Sequence, residues 1–213
     1  MKNALIFGDS YSTFRHCVPD GYAIYYADEP LDYTDVRKVH QTWWHQVVTE
    51  AGLNLVQNNS WSGSTIGYTG YDNTDCSQSS SFIYRLRQLQ AQGFFRDNEI
   101  HTVFVFGGTN DSWANAPLGQ LQYDNFQEKD LYCVLPAISY FLKSVKEQLP
   151  QAQIYCLINT GLKPEIAQAM KAASAHYGIR AVEFETIHKV NGHPTIAGMQ
   201  DIKHAVLTAM QIP

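Results

Sequence analysis

The chain has 213 residues, of which 45% are hydrophobic and 16% are charged, and its formal net charge is −5 at pH 7. The hydrophobic content argues against disorder, and the length suits one domain with a sizeable buried core. The acidic balance argues against a nucleic-acid-binding protein, which needs a basic surface, and no apolar run approaches the length of a membrane span.

The cysteines bear on metal binding, and the first residues bear on the cellular location. The four cysteines show neither a C-x-x-C pair nor metal-ligand spacing, so we expect no metal site, and nothing in the sequence calls for a cofactor. Cys133 and Cys156 lie in apolar runs and are interpreted as buried free thiols. The first apolar run is only four residues long before Gly8, too short for the core of a signal peptide, and we therefore expect a cytoplasmic location.

Short apolar runs predict strands and helical spacing predicts helices, and the two alternate along the chain. The predicted strands are residues 2–7, 54–57, 100–106, 153–158 and 181–184, and the predicted helices are residues 42–51, 82–91, 129–149, 164–176 and 195–210. Residues 13–40 are irregular and rich in aromatic side chains, and a connection of this length is often functional. Residues 64–80 are rich in Ser, Thr, Gly and Asn and are predicted to form a surface loop.

The alternation of strands and helices predicts βαβ units and a sheet that is covered on both faces. Residues 102–106 are β-branched or aromatic throughout, which is typical of a central strand in a parallel sheet. The expected fold is therefore a single three-layer α/β/α domain, residues 1–213, with a mainly parallel central sheet. Ligands of such sheets bind just beyond the carboxyl ends of the strands.

Polar turns follow three of the predicted strands, and they contain Ser10, Gly63 and Asn110. His193 lies in a Gly-His-Pro turn before the last predicted helix. A Ser hydroxyl needs a base to become a nucleophile, imidazole titrates near neutral pH, and amide N–H groups stabilise an oxyanion. Each residue also has a simpler interpretation: a helix N-cap for Ser10, a helix-start histidine for His193, and ordinary turn residues for Gly63 and Asn110.

These four blocks, in this order, resemble those of the SGNH hydrolases in the GDSL esterase/lipase superfamily. The matching blocks are Gly-Asp-Ser at residues 8–10, Gly63, Gly-Thr-Asn-Asp at residues 108–111, and His-Pro at residues 193–194. The resemblance implies a flavodoxin-like three-layer fold, with Ser10 as the nucleophile and His193 as the base. It also implies that Ser10, Gly63 and Asn110 form the oxyanion hole.

The sequence departs from this family at the third catalytic residue. The family places an Asp three residues before the His, and this chain has Val190 there. A backbone carbonyl within residues 189–191 is the expected partner of the imidazole, which predicts a Ser-His dyad. The side chains of Glu183, Glu185 and His188 are alternative partners.

Aromatic residues in predicted loops are candidate walls of a substrate cleft: Tyr22, Tyr25, Tyr26 and Trp113. Stacking rings beside polar loop groups suit a sugar better than a long lipid tail, and no large apolar lid segment is present. We therefore expect a small-molecule ester as the partner, with a short acyl group on a polar carrier, as in an acetylated carbohydrate.

Two other functions remain open from the sequence. The first is a binding protein with the SGNH fold, which lost its activity when the catalytic Asp was replaced and now only binds a carbohydrate or another small ligand. Val190 at the Asp position favours this interpretation. A nucleotide-binding α/β protein is disfavoured because no Gly-x-Gly-x-x-Gly segment or P-loop follows a strand. The sequence gives no expectation about the oligomeric state.

Overall fold

Five parallel strands form the central sheet of the computed structural model, which describes residues 1–29, 31 and 34–212. The strands are β1 (Lys2–Gly8), β2 (Leu53–Ser60), β3 (Thr102–Gly107), β4 (Gln153–Ile158) and β5 (Arg180–Glu183). Their spatial order is β2-β1-β3-β4-β5, the flavodoxin-like order. Residues 30, 32 and 33 of the irregular stretch 13–40 lie outside the described residues.

Helices cover both faces of the sheet, because successive strand residues point to opposite sides. The helices of eight or more residues are α1 (Trp43–Glu50), α2 (Phe82–Ala91), α5 (Val134–Gln148), α6 (Pro164–His176) and α7 (Ile196–Met210); the shorter ones are α3 (Phe94–Asp97) and α4 (Thr109–Trp113). Phe7 and Val105 pack in the core beneath α2, α5 and α6, whereas Ile6 and Phe104 pack in the core beneath α1 and α7. The predicted three-layer α/β/α fold with a parallel sheet is confirmed.

The carboxyl ends of three strands lie at the same level of the sheet. Gly8 at the end of β1 is in register with Ser60 of β2 and with Phe106 of β3. β2 pairs with one edge of β1, and β3 pairs with its other edge, so the strand order reverses at β1. Such a switch point leaves a crevice between the loops that follow β1 and β3, where ligands of this architecture bind.

Two predicted segments differ from the structure. The predicted helix 129–149 begins at Val134, because Glu128–Tyr132 forms a separate 3₁₀ turn and Cys133 is extended. Pro136 lies in the first turn of α5, where its missing N–H would have had no intrahelical partner. Residues 64–80 form a loop as predicted, but much of it is not at the surface: Ile66 and Tyr68 are fully buried.

Between β5 and α7 the chain forms a two-stranded hairpin of β6 (Lys189–Val190) and β7 (His193–Pro194). All four cysteines are free, and Cys156 is buried as expected, whereas Cys133 is half-buried. Among the residues that the structure describes, no helix is long and apolar enough to cross a membrane.

Candidate active site

Ser10 begins a 3₁₀ turn directly after β1 and is 4% exposed. The Asp9 carboxylate caps this turn, since its Oδ1 accepts a hydrogen bond from the N–H of Tyr11 at 3.0 Å. Its Oδ2 is buried without a hydrogen-bond partner among the described residues. Burial raises the pKa of Asp9 to about 7, so the carboxyl group carries a proton for part of the time at neutral pH.

His193 is presented by the hairpin. Asn191 and Gly192 form its two-residue loop with φ angles of 49° and 78°, and an Asn-Gly pair is favoured where both residues need positive φ. The Nε2 atom of His193 lies 3.1 Å from Oγ of Ser10, and Nδ1 lies 3.2 Å from the carbonyl oxygen of Asn191. Because a carbonyl only accepts, Nδ1 carries the hydrogen and the lone pair of Nε2 faces the Ser10 hydroxyl.

The imidazole lies in an apolar and aromatic environment. Tyr25 stacks on it with ring centroids 3.7 Å apart, and His193 is 5% exposed. Burial lowers the pKa of His193 below its usual 6.5, and the cation of Lys189 lowers it further, against an opposing effect of the Asn191 carbonyl. The imidazole is therefore neutral at pH 7, the form that a general base requires.

Polar contacts anchor the hairpin to the ends of the sheet strands. The hydroxyl of Tyr11 donates to the carbonyl of Gly192. Nζ of Lys189 donates to Oδ1 of Asn159 at 2.9 Å and to the carbonyl and hydroxyl oxygens of Thr160. The same ammonium group lies 5.4 Å from the centroid of the Tyr11 ring. These contacts fix the loop that carries His193 relative to the turn that carries Ser10.

Asn110 lies in the first turn of α4, beside the loop that contains Gly63. Its Nδ2 donates to the carbonyl of Ser64 at 3.0 Å, and its Oδ1 accepts from the hydroxyl of Tyr71 at 2.8 Å. A carboxamide nitrogen has two hydrogens, so one remains available. Gly63 has a φ of +77°, and the N–H groups of Ser10 and Gly63 have no acceptor within the described part of the chain.

The buried carboxylate of Asp111 holds the segment that follows Gly63. Its carboxylate accepts from the N–H of Ile66 at 2.9 Å and from the N–H of Gly67 at 3.2 Å, and it is fully buried. Burial raises the pKa of Asp111 to about 6. The residue therefore joins α4 to the segment after Gly63 and has a structural role.

Arg85 of α2 lies beneath the site, 1% exposed. Its guanidinium donates to the carbonyls of Gly8, at 3.1 Å, and Asn59, and to Oγ of Ser64, at 3.1 Å. It therefore joins the ends of β1 and β2 to the loop that contains Gly63. Lys189, Asn159, Tyr71 and Arg85 were not expected in or around the site.

The three side chains considered as partners of the imidazole are not at His193. Glu183 pairs with Lys171, with 2.9 Å between Oε2 and Nζ, and Nδ1 of His188 lies 2.6 Å from Oδ2 of Asp201. Glu185 is exposed. The structure contradicts these alternatives, because Nδ1 of His193 donates to the carbonyl of Asn191 and to none of these side chains.

The four aromatic candidates divide into three groups. Tyr25 and Trp113 flank His193; Trp113 is 46% exposed, and its ring centroid lies 6.2 Å from that of the imidazole. Tyr22 packs on Trp61, with ring centroids 5.2 Å apart. Tyr26 is 0% exposed and belongs to the core beneath α1 and α7, so its expected place in a substrate wall is wrong.

A metal site is not formed by the described residues, where no three His, Cys, Asp or Glu side chains cluster.

A model of the GDSL-like lipase/acylhydrolase family matches residues 2–210. A search of curated proteins finds no match to this sequence.

Solved structures similar to this chain include two Bacteroides proteins described as GDSL-like lipases. The protein from Bacteroides ovatus is 40% identical with a TM-score of 0.89, and the alignment covers 99% of this chain and 98% of that one. The protein from Bacteroides uniformis is 41% identical with a TM-score of 0.88, covering 99% and 95%. An acetyl xylan esterase from Butyrivibrio proteoclasticus shares the fold at 16% identity and a TM-score of 0.61, covering 99% and 63%.

Proposed function

The chain belongs to the GDSL-like lipase/acylhydrolase family, and we propose that within it this protein is a serine esterase with a Ser-His dyad. Its proposed substrate is an ester of a short acyl group, namely an acetylated carbohydrate, in which a sugar hydroxyl is the alcohol side. The observation that carries the proposal is that His193 contacts the Ser10 hydroxyl through one ring nitrogen and the carbonyl of Asn191 through the other. Oγ of Ser10 lies 3.1 Å from Nε2, and Nδ1 lies 3.2 Å from the oxygen of Asn191.

In the first half of the proposed reaction, Nε2 of His193 takes the hydroxyl proton as Oγ of Ser10 bonds to the ester carbon. The electron pair of the ester C=O moves to its oxygen, and the N–H groups of Ser10 and Gly63 and the free amide hydrogen of Asn110 donate to it. When the tetrahedral intermediate collapses, the alcohol leaves with the proton from the imidazolium.

In the second half, water attacks the acyl-enzyme while Nε2 of His193 again takes a proton, and collapse releases the acid and restores Ser10. The imidazolium that forms in both halves donates its Nδ1–H to the carbonyl of Asn191. A neutral carbonyl stabilises this cation less than a carboxylate does, since hydrogen bonds between two ionised groups are the stronger ones.

The substrate class is supported by the rim of the site. Trp113 offers an exposed ring at one side of His193, and Tyr22 and Trp61 form a second aromatic surface. Such rings stack on the apolar faces of a sugar while loop polar groups bind its hydroxyls. The acetyl xylan esterase that shares the fold acts on an acetylated carbohydrate, which agrees with this choice.

The test is turnover of an acetyl ester and of an acetylated xylo-oligosaccharide by the purified protein and by Ser10→Ala. We expect Ser10→Ala to abolish turnover and labelling by a fluorophosphonate, with the thermal midpoint nearly unchanged. Ser174→Ala is the matched control, because it also removes a fully buried hydroxyl, one that lies in α6 and has no contact with His193 among the described residues. Full activity of Ser10→Ala would refute the assignment.

A carbohydrate-binding protein without turnover is the second candidate, and Val190 at the usual Asp position favours it. A binding protein needs no group aimed at a charge that exists only in a transition state. Calorimetric binding of xylo-oligosaccharides, together with no release of acetate and no labelling of Ser10, would support this candidate over the esterase.

A further inference from the structure

Tyr71 reaches the site from a loop that the reaction described above does not use. Its hydroxyl donates to Oδ1 of Asn110 at 2.8 Å, while 41% of the residue is exposed. The loop itself is closed by backbone hydrogen bonds, from Gly70 N–H to Thr74 at 2.8 Å and from Cys76 N–H to Tyr68 at 2.7 Å. The hydroxyl is thus held in place by a structured segment.

The bond matters because the Asn110 carboxamide has two different ends. Nδ2 uses one hydrogen on the carbonyl of Ser64, 3.0 Å away, and Oδ1 is occupied by Tyr71. The two contacts fix both the direction and the twist of the amide plane, so the second Nδ2 hydrogen has a defined direction. A donor that is fixed before the reaction needs no reorganisation when negative charge develops.

We propose that Tyr71 is a positioning residue of this active site, whose hydroxyl holds the Asn110 amide so that Nδ2 donates to the oxyanion. The inference rests on the proposed function. Burial raises the pKa of Tyr71 to about 12, so the hydroxyl keeps its proton and remains a donor at neutral pH. The bond to Oδ1 also polarises the amide and strengthens the N–H as a donor.

The experiment compares Tyr71→Phe with Tyr132→Phe, using kcat and KM for an acetyl ester. The Tyr132 hydroxyl, from the 3₁₀ turn before α5, donates to Asp75 of the Tyr71 loop at 3.2 Å, and Tyr132 has a similar exposure of 37%, so this variant controls for loss of a tyrosine hydroxyl bonded to the loop. We expect Tyr71→Phe to lower kcat by about tenfold, because Oδ1 is left without its donor, with KM changed by less than about twofold. Tyr132→Phe should keep both constants, and both variants should keep their thermal midpoints.

A double-mutant cycle with Asn110→Ala tests whether Tyr71 acts through the amide. In the Asn110→Ala background, Tyr71→Phe should lower kcat no further, because there is no amide to hold. The same tenfold loss in both backgrounds, an unchanged kcat, or an effect on KM alone would overturn the inference; the last would identify the ring as a substrate contact. Wild-type protein without Ser10-dependent turnover would overturn both proposals, whereas active wild type with unaffected Tyr71→Phe would overturn this one alone.

Discussion

The base of the proposed dyad works without a carboxylate, and the environment of His193 gives its pH dependence. Burial lowers the pKa of His193 below 6.5, and the base acts only when it is neutral. We therefore expect the acid limb of kcat/KM, where the rate falls as the imidazole is protonated, to be centred below pH 6.5. A pH profile of acetyl ester hydrolysis measures this limb. An acid limb centred above 6.5 would contradict the burial of the neutral imidazole.

Val190 offers a way to move that limb. It pairs with His193 across the hairpin and is 47% exposed, so a carboxylate placed there stays solvated beside the imidazole. We expect Val190→Asp to move the acid limb of kcat/KM upward by about half to one pH unit, because a nearby anion favours the imidazolium. The rate above the limb should rise for the same reason. Val190→Asn adds no charge and should leave the limb in place, and equal limbs for both variants would exclude an electrostatic effect.

Asp9 lies next to Ser10, the proposed nucleophile, and gives a prediction about stability. The pKa of Asp9 is raised from 3.8 to about 7 in the folded chain. As the pH rises, the carboxyl group therefore ionises in the unfolded chain first, and the unfolding free energy decreases between pH 3.8 and about pH 7. Asp9→Asn keeps an acceptor for the N–H of Tyr11 without an ionisable group. We expect the unfolding free energy of this variant, relative to wild type, to increase from pH 4.5 to pH 8 by at least about 1.4 kcal/mol, the equivalent of one pKa unit.

Urea unfolding at four pH values measures this difference. The exposed Asp124→Asn is the control, because it makes the same carboxylate-to-amide change at the surface. A stability difference for Asp9→Asn that does not increase from pH 4.5 to pH 8 would show that Asp9 is ionised in the folded protein at neutral pH.

Among the elements, the hairpin β6–β7 decides whether His193 has a partner at all. Its two-residue loop sets the position of the Asn191 carbonyl, and a Cβ on Gly192 would lie 3.0 Å from the ring of Trp113. With a φ of +78°, Gly192→Ala is strained, at a cost on the order of 1 kcal/mol, and the turn must shift. We expect kcat to fall at least about tenfold while the protein stays folded, because the imidazole loses its alignment.

Gly178→Ala is the matched control for this variant. Gly178 also has a positive φ, +65°, but a Cβ there meets no atom within 4 Å. It should show a similar loss of thermal stability with an unchanged kcat. Equal kcat for both variants would show that the hairpin geometry does not limit the reaction.

Elements with a clear pattern were predictable, and those held by distant contacts were not. The apolar runs predicted all five strands of the sheet, and the shared strand edge predicted that the turns with Ser10, Gly63 and Asn110 would lie together. His193 was added by its Gly-His-Pro turn and by the family resemblance. Strands of two residues carry no periodicity, although the Asn-Gly pair at residues 191–192 is a hairpin signal. The burial of residues 64–70 had no local signal, because Asp111, 45 residues away from Ile66, holds that segment.

At the scale of the whole molecule, the site depends on how the layers are joined. Arg85 comes from a helix on one face of the sheet, yet its guanidinium binds the ends of two strands and the loop after β2. Its acceptors are neutral, and burial lowers the pKa of Arg85 to about 9, so the charge itself opposes folding. What stabilises the arrangement is the number of hydrogen bonds that one planar group supplies to carbonyls that would otherwise be buried without donors.

Arg85→Met tests this role, because Met fills much of the volume of the Arg stem without a donor. The carbonyls of Gly8 and Asn59 then lose this partner, and we expect a loss of about 3 kcal/mol, which lowers Tm by about 6–12 °C in a chain of this size. Since Gly8 lies two residues before Ser10, kcat should fall as well. Arg96→Met is the control: Arg96 is 78% exposed and pairs with the neighbouring Asp97, so Tm should change little. A Tm and kcat of Arg85→Met equal to those of this control would show that the strand ends hold their positions without the guanidinium.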